Sequence, residues 1–440
     1  MAVVTTLAGN TFEPELPKRL LIIAEDIRSA GGRAYLVGGW VRDALLGKNC
    51  RDYDIEVYDL EQDQLVPILS KYGKVNLVGK AFGVIHLSMK GESLDFSFPR
   101  TESKVGYGHK GFVVKTDAKL TFKEAALRRD FTINAMGMEL PDLTLCDAYG
   151  GIEDLKARRL RHVGPAFAED SLRILRGVQF ASRFGLTLVP ETVELCRTLS
   201  LDDLSIERLF EEFKKWLLKP GKPSLGLQAF YDIKLDEYFP EIRPFEACAA
   251  EGCACENRLG ELLDNLSQVK GLNDDERMVL MFAGLLAGSA GDEKTILKFI
   301  SRITNEIKLV RGVPLLLKHA FTFVPRAADG SVASIPSDAD IRRLSVTLGG
   351  LRLYMALLES DPRFAAGIRT SYVQSFKARA MALDVYESAP QPYLTGKILM
   401  ELGVKPGKQM GELIKKSFEL QLDGEIADEA AAKSWAKENI

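Results

Sequence analysis

The stretch 36–55 constrains the fold of this chain more strongly than any other. An apolar run ends at Gly38 and Gly39, a short helical pattern follows, and a second apolar run begins with Asp52 and Asp54. Glycine has no Cβ atom, so the backbone can turn sharply and approach a ligand, and a helix that begins there directs N–H groups at phosphate. Two carboxylates two positions apart on a strand share one face and suit Mg²⁺. The stretch therefore predicts a strand-turn-helix-strand unit that holds phosphate and metal.

A second polar stretch, RRDFTINAM at 128–136, lies about 75 residues further along the chain. The two guanidiniums of Arg128 and Arg129 can each hold phosphate oxygens in a bidentate manner, while Asp130 and Asn134 can bind ribose hydroxyls. A surface charge cluster is the structural alternative for such a run. The residues alone leave both interpretations open.

A third stretch, EDSLRILR at 169–176, predicts a helix on which Asp170 and Arg173 share a face. An ion pair that supports the helix is the structural alternative. Cytosine and adenine both present an amino donor beside a ring-nitrogen acceptor, whereas uracil and guanine present the reverse. A carboxylate and a guanidinium could therefore select C and A together, without a nucleic-acid template.

These stretches resemble, in order and spacing, the motifs of the class II tRNA nucleotidyltransferases (CCA-adding enzymes) and bacterial poly(A) polymerases. The resemblance is specific over residues 33–215 and loose beyond them. Its motifs A to E correspond to stretch 36–55, RRDFTINAM, DAYGGIEDL at 147–155, EDSLRILR and SIERLFEE at 205–212. We interpret the third and fifth as architectural. The polar run 101–122 matches the position of the family's flexible loop.

The resemblance implies roles for individual residues. Asp52, Asp54 and Asp95 are the expected catalytic acids, and the first two are expected to bind two Mg²⁺ ions. The expected nucleotide-binding residues are Gly38, Gly39, Arg42, Arg129, Asp130, Asn134, Asp170, Arg173 and Arg176. The expected RNA-binding residues are Lys110, Arg159, Arg161, Lys405 and Lys408.

The predicted fold class is α+β. We expect a nucleotidyltransferase head at 1–155 with a mixed β-sheet and helices, followed by an all-α neck at 156–222, body at 223–370 and tail at 371–440. In one bacterial branch of the family the body is a metal-dependent phosphohydrolase. This sequence has no histidine between His162 and His319, so we expect a helical body without that activity.

The expected function is stepwise addition of CCA to the 3′ end of tRNA from CTP and ATP by two-metal in-line transfer. Addition of A or CC alone, poly(A) synthesis and non-catalytic RNA binding are the alternatives. The net charge of −3 argues against extensive coating by nucleic acid but leaves room for a local basic patch. No apolar run is long enough to cross a bilayer and no secretory signal is evident, so we expect a cytoplasmic monomer.

Overall fold

The computed structural model describes residues 3–78, 83–104, 112–244, 258–320, 335–362 and 368–440. It divides into two compact units, residues 1–235 and 236–440. The finer boundaries at 155, 222 and 370 stay predictions. None of the helices in the described ranges is long and apolar enough to span a membrane.

The strands lie in the first unit. They are β1 Val4–Thr5, β2 Thr11–Phe12, β3 Arg33–Val37, β4 Asp54–Tyr58, β5 Lys74–Val78, β6 Val84–Met89, β7 Glu92–Ser97, β8 Arg100–Lys104, β9 Phe112–Thr116, β10 Gly137–Leu140, β11 Thr144–Cys146, β12 Arg159–Leu160 and β13 Thr187–Leu188. Within the described ranges, seven of them form a mixed sheet in the order β11-β10-β3-β4-β7-β6-β5. Its one parallel pair, β4 and β7, aligns Asp54 with Asp95. Two of the expected catalytic acids, Asp54 and Asp95, are therefore neighbours.

The helices of the first unit are α1 Lys18–Ser29, α2 Gly39–Leu45, α3 Gln62–Ser70, α4 Phe122–Ala126, α5 Gly151–Lys156, α6 Leu172–Phe184, α7 Pro190–Arg197, α8 Ile206–Leu218 and α9 Pro223–Asp232, with α10 Leu235–Tyr238 at the boundary. The described part of the second unit is helical. Its helices are α11 Arg258–Ser267, α12 Asp274–Leu285, α13 Glu293–Ile303, α14 Ile307–His319, α15 Asp338–Leu348, α16 Arg352–Ser360, α17 Ile368–Ala382, α18 Gly396–Glu401, α19 Lys408–Asp423 and α20 Glu429–Asn439. The α+β prediction is confirmed.

The first unit derives its shape from apolar faces that its sequence patterns specify. β3 and β4 are buried over all but their first residue because they lie at the centre of the sheet. α6 buries both faces, and its neighbours α8 and α9 supply Trp216 and Phe230, whose rings stack at 5.9 Å. The central strands and α6 thereby become rigid supports for the polar side chains at their ends.

Candidate active site

A cleft of about 560 Å³ lies in the first unit, where the turn between β3 and α2, the start of β4, the segment 128–134 and helices α6 and α8 meet. Most of the residues that the sequence singled out line it. These are Gly38, Gly39, Arg42, Asp52, Asp54, Arg129, Asp130, Asn134, Asp170, Arg173 and Arg176.

The glycine turn holds two arginines against its backbone. Gly38 has φ +70°, the left-handed region that favours glycine, and a Cβ atom there would lie 3.3 Å from Nη1 of Arg129. A Cβ atom on Gly39 would lie 3.3 Å from Nη2 of Arg42. Arg42 is 5% exposed, donates to Oδ1 of Asn134 at 2.6 Å and lies 4.0 Å from the centre of the Phe184 ring. Both arginines are therefore fixed at the turn.

Asp52 and Asp54 also line the cleft. The sequence pattern placed both residues on a strand, but β4 begins at Asp54. Asp52 therefore belongs to the segment that precedes the strand. Partial burial raises the pKa of Asp54, and the carboxylates of Asp52 and Asp95 raise it further, against the opposing effect of Arg129. Asp95 lies beside Asp54 on β7 but does not line the cleft, and its Oδ1 lies 2.6 Å from Nδ1 of His86.

The second acid of β4, Glu56, orders the two arginines of RRDFTINAM. Its side chain is 1% exposed and accepts hydrogen bonds from Nη2 of Arg128 at 2.9 Å and from the Tyr58 hydroxyl at 2.6 Å. Nη2 of Arg129 lies 3.7 Å from Oε2 of Glu56, the oxygen that accepts from Tyr58. Burial alone would raise the pKa of Glu56, but Arg129, Arg128 and Tyr58 together lower it below its usual value.

Asp130 and Asn134 form a buried network that joins the segment 128–134 to α2 and α6. Asp130 accepts from the Asn134 amide at 3.0 Å, from the Phe131 N–H at 2.7 Å and from Nε of Arg176 at 2.7 Å. Burial would raise the pKa of Asp130, but Arg176 and these hydrogen bonds lower it. The network fixes the cleft floor before any ligand arrives.

Asp170 and Arg173 lie at the beginning of α6 but do not share a helix face, because the helix begins at Leu172. Asp170 accepts from the Leu172 N–H at 3.2 Å and from Arg208 of α8, whose Nη2 is 2.8 Å from one carboxylate oxygen and 3.0 Å from the other. Arg173 donates to the carbonyl oxygens of Ala166 at 2.5 Å and Arg128 at 2.6 Å. The two side chains are thus held separately, each by a different partner.

Among the described residues of the first unit, the predicted RNA-binding residues Arg159 and Arg161 do not line the cleft. Arg159 and Arg161 lie 3.4 and 3.2 Å from the carboxylate of Asp154. Lys405 and Lys408 are exposed in the second unit. Lys110 lies outside the described residues, as does part of the polar run 101–122.

Sequence patterns missed several residues of the cleft wall, namely Arg183, Arg208 and Lys215, and the buried Glu56 behind it. Arg208 lies in SIERLFEE, so an arginine in an architectural motif was the available signal. Arg183 is one helical turn beyond Gln179 and two turns beyond Arg176, so a polar stripe at helical spacing along α6 was the available signal.

Residues 34–161 match the family described as the Poly A polymerase head domain. The chain is 42% identical over 218 residues to a multifunctional CCA protein of Xanthomonas campestris. The matched residues make up 48% of this chain and 51% of that protein. The chain is 41% identical over 218 residues to a multifunctional CCA protein of Xylella fastidiosa, with 48% and 50% coverage. The chain thus spans about half the length of the curated relatives that it matches.

Solved structures resemble the fold over nearly the whole chain. The Bacillus stearothermophilus CCA-adding enzyme in complex with CTP has a TM-score of 0.66 at 24% identity and 96% coverage of both chains. The Thermotoga maritima CCA-adding enzyme complexed with tRNA has a TM-score of 0.63 at 21% identity and 95% coverage of both. At this identity the resemblance establishes the fold.

Proposed function

We propose that the protein is a tRNA nucleotidyltransferase, because residues 34–161 match the Poly A polymerase head domain and the chain is 42% identical over 218 residues to a multifunctional CCA protein. It adds C, C and A in turn to the 3′ end of tRNA, uses CTP and ATP, and releases pyrophosphate. The observation that carries the proposal is the cleft, which combines an acidic edge, buried arginines and a separate Asp/Arg pair in one cavity.

The arginines at the glycine turn supply the triphosphate grip. Gly38 and Gly39 let a phosphate approach the backbone, with Arg42 and Arg129 already against the turn. The buried Nε–H of Arg129 has no hydrogen-bond partner in the described parts of the chain. A buried donor without a partner is costly, and a phosphate oxygen would satisfy it.

Asp52 and Asp54 fit Mg²⁺, which proteins hold through one or two carboxylates together with water and substrate phosphates. Burial raises the pKa of Asp54 most, and the carboxylates of Asp52 and Asp95 raise it further, so a divalent cation at this edge would meet several negative charges. Within the described ranges no group of three or more His, Cys, Asp or Glu side chains surrounds one metal position. Bound Mg²⁺ would supply charge neutralisation at the attacking 3′ oxygen and at the leaving pyrophosphate.

The Asp170 and Arg173 pair performs base selection in this proposal. A carboxylate that accepts from Arg208 keeps lone pairs for the amino group of cytosine or adenine, and the Arg173 guanidinium, a donor group, is held by the carbonyls of Ala166 and Arg128. Because both side chains are anchored from behind, the edge they present is fixed before the base binds, which is the condition for discrimination by hydrogen bonding.

The remaining groups position the RNA. We assign Arg159, Arg161, Lys405 and Lys408 to phosphate contacts with tRNA. We assign no phosphohydrolase activity to the second unit, where the sequence has His319 as its only histidine and α12 buries Met281 and Phe282.

The test is incorporation of labelled CTP and ATP, singly and together, into tRNA transcripts that end at the discriminator base, after C or after CC. Wild-type protein is compared with Asp52→Asn and Asp54→Asn, with the exposed Asp63→Asn as a control of equal charge change. We expect C, C and A in turn and then no further addition. Loss of a residue that supports a metal ligand lowers activity by up to roughly 100-fold. The incorporation rate of Asp52→Asn and of Asp54→Asn should fall by more than that, and Asp63→Asn should match wild type.

Other products would identify the alternatives. If only CC-ending tRNA is extended, with ATP, the protein is an A-adding enzyme. If addition stops after CC, it is a CC-adding enzyme. If long A tails form, it is a poly(A) polymerase. RNA binding without incorporation, unchanged in the aspartate variants, would make it a binding protein.

A further inference from the structure

Most of the basic side chains that line the cleft lie against a carboxylate or a backbone carbonyl oxygen of the protein. Arg42 is paired with Asp43, Arg128 with Glu56, Arg176 with Asp130, Arg208 with Asp170 and Lys215 with Glu212. Arg173 donates to two backbone carbonyls. Among the described residues, Arg183 has no carboxylate oxygen within 4.0 Å, and its one hydrogen bond runs from Nη1 to Oε1 of the neutral Gln179 at 3.3 Å.

Arg183 is also crowded by other cations. Its guanidinium carbon lies 5.0 Å from the centre of the Phe184 ring, and that of Arg42 lies 4.0 Å from the centre of the same ring. Partial burial lowers the pKa of Arg183, and the charges of Arg42 and Arg176 lower it further, while Asp43 and Glu212 oppose them. Two guanidiniums against one ring repel each other unless an anion lies between or beside them.

We propose that Arg183 binds a terminal phosphate of the incoming nucleoside triphosphate, beside Arg42 at the Phe184 ring. This inference rests on the proposed function. One N–H of Arg183 is used on Gln179 and the others remain as donors, which match the bidentate geometry of a phosphate. The proposal favours the nucleotide over the RNA as the source of the phosphate because Arg42 also lies against the Gly39 end of the glycine turn.

The experiment compares wild type with Arg183→Gln and Arg183→Lys. Arg19→Gln, an exposed arginine on α1 of the same unit, is the control for the loss of one positive charge. The KM for CTP and ATP is measured at saturating tRNA, and the KM for tRNA at saturating nucleotide. Binding of inorganic tripolyphosphate and of AMP is measured by calorimetry without tRNA, so that a readout independent of turnover is available.

For Arg183→Gln we expect the nucleotide KM to rise about 10- to 100-fold, as loss of a hydrogen bond to a charged group predicts, with the tRNA KM unchanged. Tripolyphosphate affinity should fall to a similar extent, while AMP affinity stays the same because AMP lacks the terminal phosphates. Arg183→Lys should recover part of the loss, since lysine keeps the charge but not the planar fork. Arg19→Gln should match wild type.

Unchanged nucleotide KM and tripolyphosphate affinity in folded Arg183→Gln would overturn the proposal. A raised tRNA KM with an unchanged nucleotide KM would overturn it too, because the phosphate would then belong to the RNA. If circular dichroism shows that the glutamine variant is unfolded, Arg183→Lys decides by the same criteria. Arg183-dependent tripolyphosphate binding in a protein that incorporates no nucleotide would contradict the proposed function and leave the phosphate site standing.

Discussion

At the scale of single residues, the cleft is organised by buried charges that lie far apart in the sequence. Glu56 of β4 meets Arg128 and Arg129, and Asp130 meets Arg176 of α6. Each pair joins two stretches that the sequence presented as separate motifs. Removal of one member leaves an uncompensated charge in a low-dielectric interior, so such residues affect both stability and ligand binding.

Replacement of Glu56 by glutamine should therefore be costly. We expect the free energy of unfolding to fall by about 3–5 kcal/mol, the usual cost of breaking a buried ion pair, and the nucleotide KM to rise because Arg129 loses its orientation. Tyr58→Phe is the matched control. It removes one hydrogen bond to the same carboxylate and should cost about 1 kcal/mol. Urea unfolding and steady-state kinetics measure both, and equal small losses in the two variants would contradict the role given to Glu56.

The same carboxylate predicts a pH dependence. The pKa of Glu56 is lowered in the folded protein from an ordinary value of 4.5, so the ionised form is favoured by folding. Its stabilising contribution is fully present above 4.5 and is lost as the pH falls from there through the lowered value. The stability difference between wild type and Glu56→Gln should therefore be constant near neutral pH and shrink in acid. A difference that grows in acid would refute this sign.

At the scale of elements, the turn between β3 and α2 couples backbone conformation to the phosphate grip. Gly38→Ala places a Cβ atom on a residue with φ +70° and 3.3 Å from Arg129. We expect a loss of about 1–2 kcal/mol in stability from the left-handed conformation and a raised nucleotide KM from displacement of Arg129. Gly47→Ala is the control, because it has φ +68° but meets only Thr6 at 3.6 Å. Equal nucleotide KM values in the two variants would show that the turn has no part in nucleotide binding.

The junction at α5 tests the architectural interpretation of stretch 147–155. Asp147 caps this helix by accepting the N–H groups of Gly151 and Ile152 at 2.8 and 2.9 Å. A Cβ atom on Gly151 would lie 2.4 Å from the carbonyl oxygen of Thr132. Gly151→Ala should lower thermal stability, with an overpacking cost of about 1–3 kcal/mol, and leave the nucleotide KM of the folded fraction unchanged. An altered KM with unchanged stability would assign the junction a role in binding.

Element types were predictable from the sequence, whereas their ends and partners were not. Apolar patterns predicted the strands β3 and β4, the helix α2 between them and the helix α6. They extended the β4 strand to Asp52 and the α6 helix to Asp170, since polar residues at an end look alike whether they belong to the element or precede it. The contact of Arg208 with Asp170 depends on how α8 packs on α6, and no local pattern encodes that.

At the scale of the whole molecule, the sequence comparison and the fold comparison cover different shares of the chain. Sequence similarity to the Xanthomonas protein covers 48% of the chain, while the fold of the Bacillus enzyme is matched over 96% of it. A helical unit can keep its fold through many apolar substitutions that preserve volume and pattern. A cleft that depends on paired charges tolerates fewer changes, and residues 34–161, which match the family model, include its glycine turn and the segment 128–134.

The second unit therefore has to be tested by what it contributes to RNA binding. Lys405 and Lys408 are exposed beside the start of α19, and Lys408 is 93% exposed with its nearest acid, Glu412, at 3.9 Å. If both contact phosphates, the double glutamine variant should weaken tRNA binding, lower the salt slope of log affinity by roughly 0.7–0.9 per contact, and leave nucleotide KM unchanged.

The double variant Lys270→Gln and Lys294→Gln removes the same charge from exposed positions elsewhere in the second unit. Filter binding of tRNA from low to moderate salt compares the two. If the control lowers affinity and slope equally, tRNA senses only the net charge of the unit, because a long-range field does not distinguish positions. A difference confined to the first variant requires local contacts, and the tail helices then form part of the RNA-binding surface while the cleft of the first unit keeps nucleotide selection.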